Sequence, residues 1–185
     1  MVFQELSIQG VFKISLNPVS DNRGWFNRLY CKEMFANAGI DFSITQINHS
    51  FTKMKGSFRG IHYQIAPFSE YKLITCISGA VLDFGVDLRK NSDTLFQSIS
   101  VELSESNQQA LLLPPGVGHA FQTLEDNTGL LYLHSSFYNK HYEGGIPYND
   151  PKINLNLPLE IADISERDRK HPLIETNFQG IEYEV

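Results

Sequence analysis

Polar and apolar positions alternate in short runs along most of this chain, and the runs are separated by turn-forming residues. Residues 11–16, V-F-K-I-S-L, read as a strand with one wet face. S-D-N-R-G at 20–24 is dense in turn formers and leads into W-F-N-R-L-Y-C, a second strand. K-E-M-F-A-N-A at 32–38 predicts a short helix, stopped by Gly39. Residues 42–49, F-S-I-T-Q-I-N-H, alternate again and set Gln46 and Asn48 on one face. Further strands are predicted at 59–64, 73–78, 80–88, 95–103, 110–113, after the P-P-G-V-G-H turn of 114–119, and at 129–136. Residues 139–158 show no period, and Ser165 is placed to cap a short C-terminal helix. Many short strands with Gly/Pro turns and almost no helix predict one all-β domain over 1–185, a sandwich or barrel with a few short peripheral helices.

Composition narrows the class. The 42% hydrophobic and 12% aromatic shares fit a packed globular chain. Cys31 and Cys76 lie in apolar strand-like segments without C-x-x-C spacing, as expected of reduced core cysteines in a cytoplasmic protein. No export signal and no apolar run long enough to cross a membrane is visible. The net charge of −6 argues against nucleic acid as a partner. The charge is uneven: residues 1–90 carry ten Lys+Arg against seven Asp+Glu, and residues 91–185 carry five against fourteen. An anion site is therefore expected mainly from the first half.

The densest chemistry is R-G-I-H-Y-Q-I-A-P-F-S-E-Y-K at 59–72, where Arg59 and Lys72 flank His62 in an apolar setting. An arginine fork grips phosphate, a histidine moves protons, and a lysine stabilises a developing oxyanion. Gly60 is expected to let the backbone pass close to something bulky, such as a ligand. The plainer alternative is a half-buried strand with Ile61 and Tyr63 packed on one side. P-P-G-V-G-H fits the P-x-G-x-x-H of the second cupin motif, and G-S-F-R-G-I-H-Y-Q with Glu70 is a distorted first one. Metal-binding cupins use an H-x-H pair, but here it reads His62-x-Gln64. Gln is a poor transition-metal ligand, so a metal held by His62, Glu70 and His119 is the lesser reading and no metal is expected. The cupin-type jelly-roll barrel with a ligand in its mouth stands without the metal.

Nine segments, in order, carry a closer likeness. They are D-N-R-G-W-F (21–26), Q-I-N-H-S (46–50), R-G-I-H-Y-Q (59–64), K-L-I-T-C-I-S-G (72–79), V-D-L-R-K-N-S-D-T (86–94), L-P-P-G-V-G-H-A-F (113–121), the Tyr132 strand, Y-N-D-P (148–151) and I-S-E-R-D (164–168). With them the chain resembles the dTDP-4-dehydrorhamnose 3,5-epimerase family of cupin-like enzymes. The resemblance implies cofactor-free epimerisation at C3 and C5 of a 4-keto-6-deoxyhexose carried on deoxythymidine diphosphate. By it His62 is the base, Asp168 orients it, Lys72 steadies the enolate oxygen and Tyr132 donates from the other side. It also implies that Arg23 and Arg59 hold the diphosphate, that Phe26, Gln46, Asn48 and Tyr138 line the base and sugar, and that His119 and Glu143 sit at binding positions. Arg28 stands at a binding position where many members carry glutamate, which leaves the nucleobase contact open. Tyr148 and Asn156 stand where members carry tryptophan, which leaves sugar and nucleotide identity open. A homodimer with exchanged N-terminal segments is implied, so Arg23 and Phe26 are expected to serve a neighbour's site. Read from the residues alone, Asp168 is a solvated first-turn helix charge and Tyr132 a core aromatic. The alternatives are a single-centre epimerase and a metal-dependent or sugar-binding cupin.

Overall fold

Two antiparallel sheets face one another in the computed structural model, which describes residues 1–184. The first runs β1 (Val2–Glu5), β2 (Phe12–Ser15), β10 (Gln109–Leu113), β7 (Lys72–Ser78), β12 (Thr128–His134), β5 (Gln46–Thr52). The second runs β13 (Glu143–Gly145), β6 (Ser57–Gln64), β11 (Val117–Thr123), β8 (Ala80–Asp87), β9 (Ser98–Ser104), with β14 (Asp163–Ile164) parallel to β6. β3 (Val19–Asp21) and β4 (Gly24–Phe26) form a hairpin that joins neither sheet. Helices are confined to α1 (Lys32–Asn37) and α2 (Glu166–Arg169) among the described residues. This is the all-β cupin-type jelly roll expected. Among the described residues no helix is long and apolar enough to cross a membrane.

The period of two sorts each strand between layers. On β10, Leu111 and Leu113 turn inward to a core shared with Ile74, Cys76, Val81, Leu103, Phe121 and Leu130 of both sheets. Ala110 and Leu112 turn outward, to a second cluster closed by Phe35, Ile40 and Phe42 from α1 and the chain after it. A third cluster covers the outer face of the second sheet, where Phe58, Ile61, Phe84 and Val86 meet Ile146, Ile153, Ile164 and Ile181. The 139–158 stretch, aperiodic in sequence, thus supplies a lid over that sheet and the short strand β13.

Several sequence expectations need correction. The strand expected at 42–49 starts only at Gln46, and the one at 25–31 ends at Phe26. Residues beyond Phe26 have no strand partner and pack instead: Leu29 and Tyr30 lie against the outer cluster, and the Tyr30 hydroxyl donates to the Phe42 carbonyl at 2.6 Å. Cys31 is consequently the half-exposed N-cap of α1, not a core strand residue, while Cys76 is buried; neither is disulfide-bonded. Gly60 does allow a close approach, but to β11 and not to a ligand. A Cβ there would lie 2.5 Å from the Ala120 side chain and 2.6 Å from the His119 carbonyl, at a φ of +123°.

Candidate active site

Along three strands the inner face changes from apolar to polar within a few residues. β12 runs from Leu130 to Tyr132 and His134, β7 from Cys76 and Ile74 to Lys72, and β11 carries His119 between Val117 and Phe121. Where the side chains turn polar the sheets enclose a cleft of about 290 Å³. His62, Lys72, His119, Tyr132, Asn48 and Arg59 line it, together with Glu70, His134, Tyr138 and Glu143.

His62 enters from β6. Its Nε2 donates to Asp168 Oδ1 at 2.7 Å, leaving Nδ1 unengaged. Asp168 belongs to α2, whose N-cap Ser165 accepts from the Asp168 amide at 3.0 Å. Its second oxygen accepts from the Gly60 amide at 3.1 Å, and the side chain is buried. Burial pushes the Asp168 carboxyl up, but the His62 hydrogen bond and its charge outweigh this, and the group sits below its ordinary value. It is therefore ionised at neutral pH. The solvated helix charge suggested by local sequence is not what the fold makes of it.

Tyr132 stands on β12 with its hydroxyl 3.1 Å from Ser50 Oγ. Burial raises its phenol well above the ordinary value, so it stays protonated. It is also packed against the inter-sheet core, as the core-aromatic reading of the sequence has it. Lys72 Nζ donates to the His62 carbonyl at 3.3 Å and lies 3.4 Å from Glu70 Oε1. Glu70 Oε2 takes a hydrogen bond from His134 Nδ1 at 2.8 Å. His119 Nε2 is 2.9 Å from the fully buried Asp83, whose carboxyl is raised by that burial. Glu70 and His119 are thus committed to other partners and do not gather with His62. Among the described residues the donors that come within 4.8 Å of one another are His62, Asp168 and His171. Gln64 is buried and occupied by backbone: it donates to the Phe68 and Phe137 carbonyls and accepts from the Asn139 amide.

The rim is partly assembled. Glu143 accepts from the Tyr138 hydroxyl at 2.9 Å and from Arg167 at 2.6 Å. Gln46 lies behind the lining, donating to Asn48 Oδ1 and accepting from the Tyr138 amide. Arg59 is exposed at the edge. Arg23, Phe26 and Arg28 do not line this cleft. Arg23 pairs with Asp21 on the β3–β4 hairpin, Phe26 is 72% exposed there, and Arg28 is exposed just beyond it. Sequence reasoning missed Ser50, Asp83, Arg167 and His171. The contacts that place Ser50, Asp83 and Arg167 span 82, 36 and 24 residues, and His171 meets the His62 ring from the far end of the chain, so no local pattern carries them.

The chain matches known proteins along nearly its whole length. The family described as dTDP-4-dehydrorhamnose 3,5-epimerase matches residues 5–176. The dTDP-4-dehydrorhamnose 3,5-epimerase of Sinorhizobium fredii is 35% identical over 93% of this chain and 89% of its own. The crystal structure of dTDP-4-dehydrorhamnose 3,5-epimerase from Bacillus anthracis, solved with TDP and PPi bound, superposes with a TM-score of 0.90. It is 32% identical, over 94% of this chain and 99% of that one. A 3'-monoepimerase from Streptomyces bikiniensis in complex with dTDP-quinovose superposes at 0.85 and is 34% identical, over 91% and 85% of the two chains. By sequence, fold and the match along nearly its whole length, the chain belongs to the dTDP-4-dehydrorhamnose 3,5-epimerase family.

Proposed function

We propose that this protein inverts C3 and C5 of a dTDP-linked 4-keto-6-deoxyhexose by proton abstraction and return, in cytoplasmic deoxysugar nucleotide synthesis. The observation that carries the reading is the opposition of a carboxylate-backed histidine and a buried, protonated tyrosine across one cleft. The 4-ketone acidifies the hydrogens on both neighbouring carbons. His62 Nδ1 takes one of them, and Asp168 holds the imidazolium that forms. Lys72 keeps a proton for the enolate oxygen, a contact worth about 3 kcal/mol where water is excluded. When the Ser50 hydroxyl is the donor in its contact with Tyr132, the phenolic proton is free for the face opposite His62, chiefly at C5.

Arg59 grips the diphosphate from the rim, and Asn48, His119, Tyr138 and Glu143 contact sugar and base. We infer a homodimer in which the β3–β4 hairpin reaches the partner's cleft. Support comes from the hairpin itself, because two strands without further pairing are marginal alone. Val19 is 74% exposed, Trp25 59% and Phe26 72%, an apolar tip that a second copy would cover.

The test is turnover of dTDP-4-keto-6-deoxyglucose in D₂O, read by NMR. Deuterium with inversion at both carbons is expected. Inversion at one carbon alone would move the protein to the single-centre class of the Streptomyces bikiniensis monoepimerase it also resembles. No exchange at either carbon would overturn the reading.

A further inference from the structure

A second histidine–carboxylate unit stands in the cleft, and the steps above give it no task. His134 follows Tyr132 by two residues on β12, so both side chains leave the same face of the strand. Their rings lie 6.1 Å apart and 22° from parallel. His134 Nδ1 is 2.8 Å from Glu70, and the two side chains are 12% and 7% exposed. On the other side of the ring, Nε2 is 3.3 Å from Asn48 Nδ2. Asn48 Oδ1 already accepts from Gln46, so the amide nitrogen is the group facing His134. An amide nitrogen donates and does not accept, so the neutral ring carries its proton on Nδ1, toward Glu70, with the Nε2 lone pair on the cleft side.

This repeats the arrangement of His62 with the two nitrogens exchanged and on the opposite sheet. The Glu70 carboxyl feels burial most, which raises it, but Lys72 and the His134 hydrogen bond together hold it below its ordinary value. A carboxylate ionised at neutral pH stands ready behind an imidazolium. Lys72, the group for the enolate oxygen, is the cross-strand partner of His134 on β7, while Tyr132 pairs with Ile74. Inversion of two carbons on either side of one carbonyl calls for a donor opposite the base at each of them.

We propose that His134, backed by Glu70, is the proton donor at C3, as Tyr132 is at C5. The proposal rests on the epimerase reading above. His62 removes the C3 hydrogen as a proton, and the C–H electron pair enters the enolate. The donating form is the imidazolium, with hydrogens on both nitrogens and the Asn48 amide turned away from Nε2. The enolate carbon takes the Nε2 proton on the other face, forming the new C–H bond and leaving a neutral ring that the Asn48 amide can meet again. His62 gives its proton to water and His134 takes one from water, so only the configuration has changed.

His134→Gln keeps a donor for Glu70 but has no acid proton to give. In D₂O with dTDP-4-keto-6-deoxyglucose it is expected to keep washing deuterium into C3 through His62 at within about threefold of the wild-type rate. Inversion at C3 should fall about 100-fold, the usual scale for a lost general acid, while inversion at C5 persists. Glu70→Gln should shift the C3-to-C5 ratio the same way by a smaller factor, and it carries the test if His134→Gln fails to bind dTDP in calorimetry. Wild-type proportions in the variants overturn the proposal. So does an equal loss at both carbons, which would leave the pair holding Lys72 in place and nothing more. A wild-type protein that exchanges at neither carbon would instead sink the epimerase reading, and the two failures are distinct.

Discussion

A ring nitrogen tied to a carboxylate fixes which nitrogen is free, and at His62 the free one is Nδ1, since Nε2 donates to Asp168. His62→Ala is therefore expected to lower kcat by ~10²–10⁴, the usual range for a lost general base. dTDP affinity, measured by calorimetry, should stay within a few-fold, because the variant removes no phosphate contact. Asp168→Asn is subtler. Its amide can donate to Nε2, which would drive the ring proton onto Nδ1 and block the base. The expected outcome is a fall of at least tenfold in kcat with KM little changed, and a variant with wild-type kcat would mean that Asp168 does not set the tautomer. Tyr132→Phe is expected to lose inversion at C5 while still exchanging that hydrogen for deuterium, since His62 can return a proton to its own face. His62 and Lys72 stand out in sequence because two cations flank a histidine within one mostly apolar stretch, which the fold divides between β6 and the start of β7. Asp168 does not, because its partner is 106 residues away and its burial comes from α2 docking on β6. The same holds for the Glu70–His134 pair, which joins the segment before β7 to β12, and for the Asp83–His119 pair, which joins β8 to β11.

Strands were the most legible elements, since alternation survives wherever one face is apolar and the other is not. The short ones, β1, β3, β13 and β14, offer two to four residues and too little pattern to read. The β6–β11 pair sets the precision of the site, because His119 and His62 are partners in its register. Gly60 lets these strands touch, so Gly60→Ala tests the element without altering a chemical group. Its Cβ would meet Ala120 at 2.5 Å in a positive-φ conformation. Overpacking and backbone strain each cost about 1–3 kcal/mol. A loss of roughly 3 kcal/mol in urea denaturation is expected, together with a reduced kcat as His62 shifts. Unchanged stability would mean that β11 yields more easily than its packing suggests.

At the scale of the molecule, the placing of Arg23 outside its own cleft makes subunit mixing decisive. Arg23→Ala and His62→Ala proteins should each be nearly inactive. If the hairpin serves the partner, a mixed dimer holds one site with both residues intact, and mixing restores activity; without exchange, mixing restores nothing. Acid should weaken the fold in two stages. His171 is lowered by burial and by the nearby His62, so the unfolded chain takes its proton first and stability falls as pH drops below about 6.5. Asp168, Glu70 and Asp87 are each raised by burial but held lower by their partners, so they add a second loss below about pH 4. Asp83, raised by burial, works in the opposite sense. Urea denaturation across pH checks both stages, and His171→Gln should remove the first.

The inner faces that turn from leucine to histidine along β12, and that set His119 between valine and phenylalanine on β11, have a consequence for how this protein can change. The cleft is a stretch of inter-sheet space that the core does not fill, and Asp83 and His119 form a buried, hydrogen-bonded pair where a sandwich would ordinarily place aliphatic groups. Replacing both members of a buried hydrogen-bonded pair by apolar side chains of similar volume is often neutral or stabilising. Heat-selected descendants of this chain, screened for survival and never for turnover, are therefore expected to accumulate leucine and phenylalanine at these positions. Such descendants would be sturdier proteins with a filled cleft and little room for a sugar.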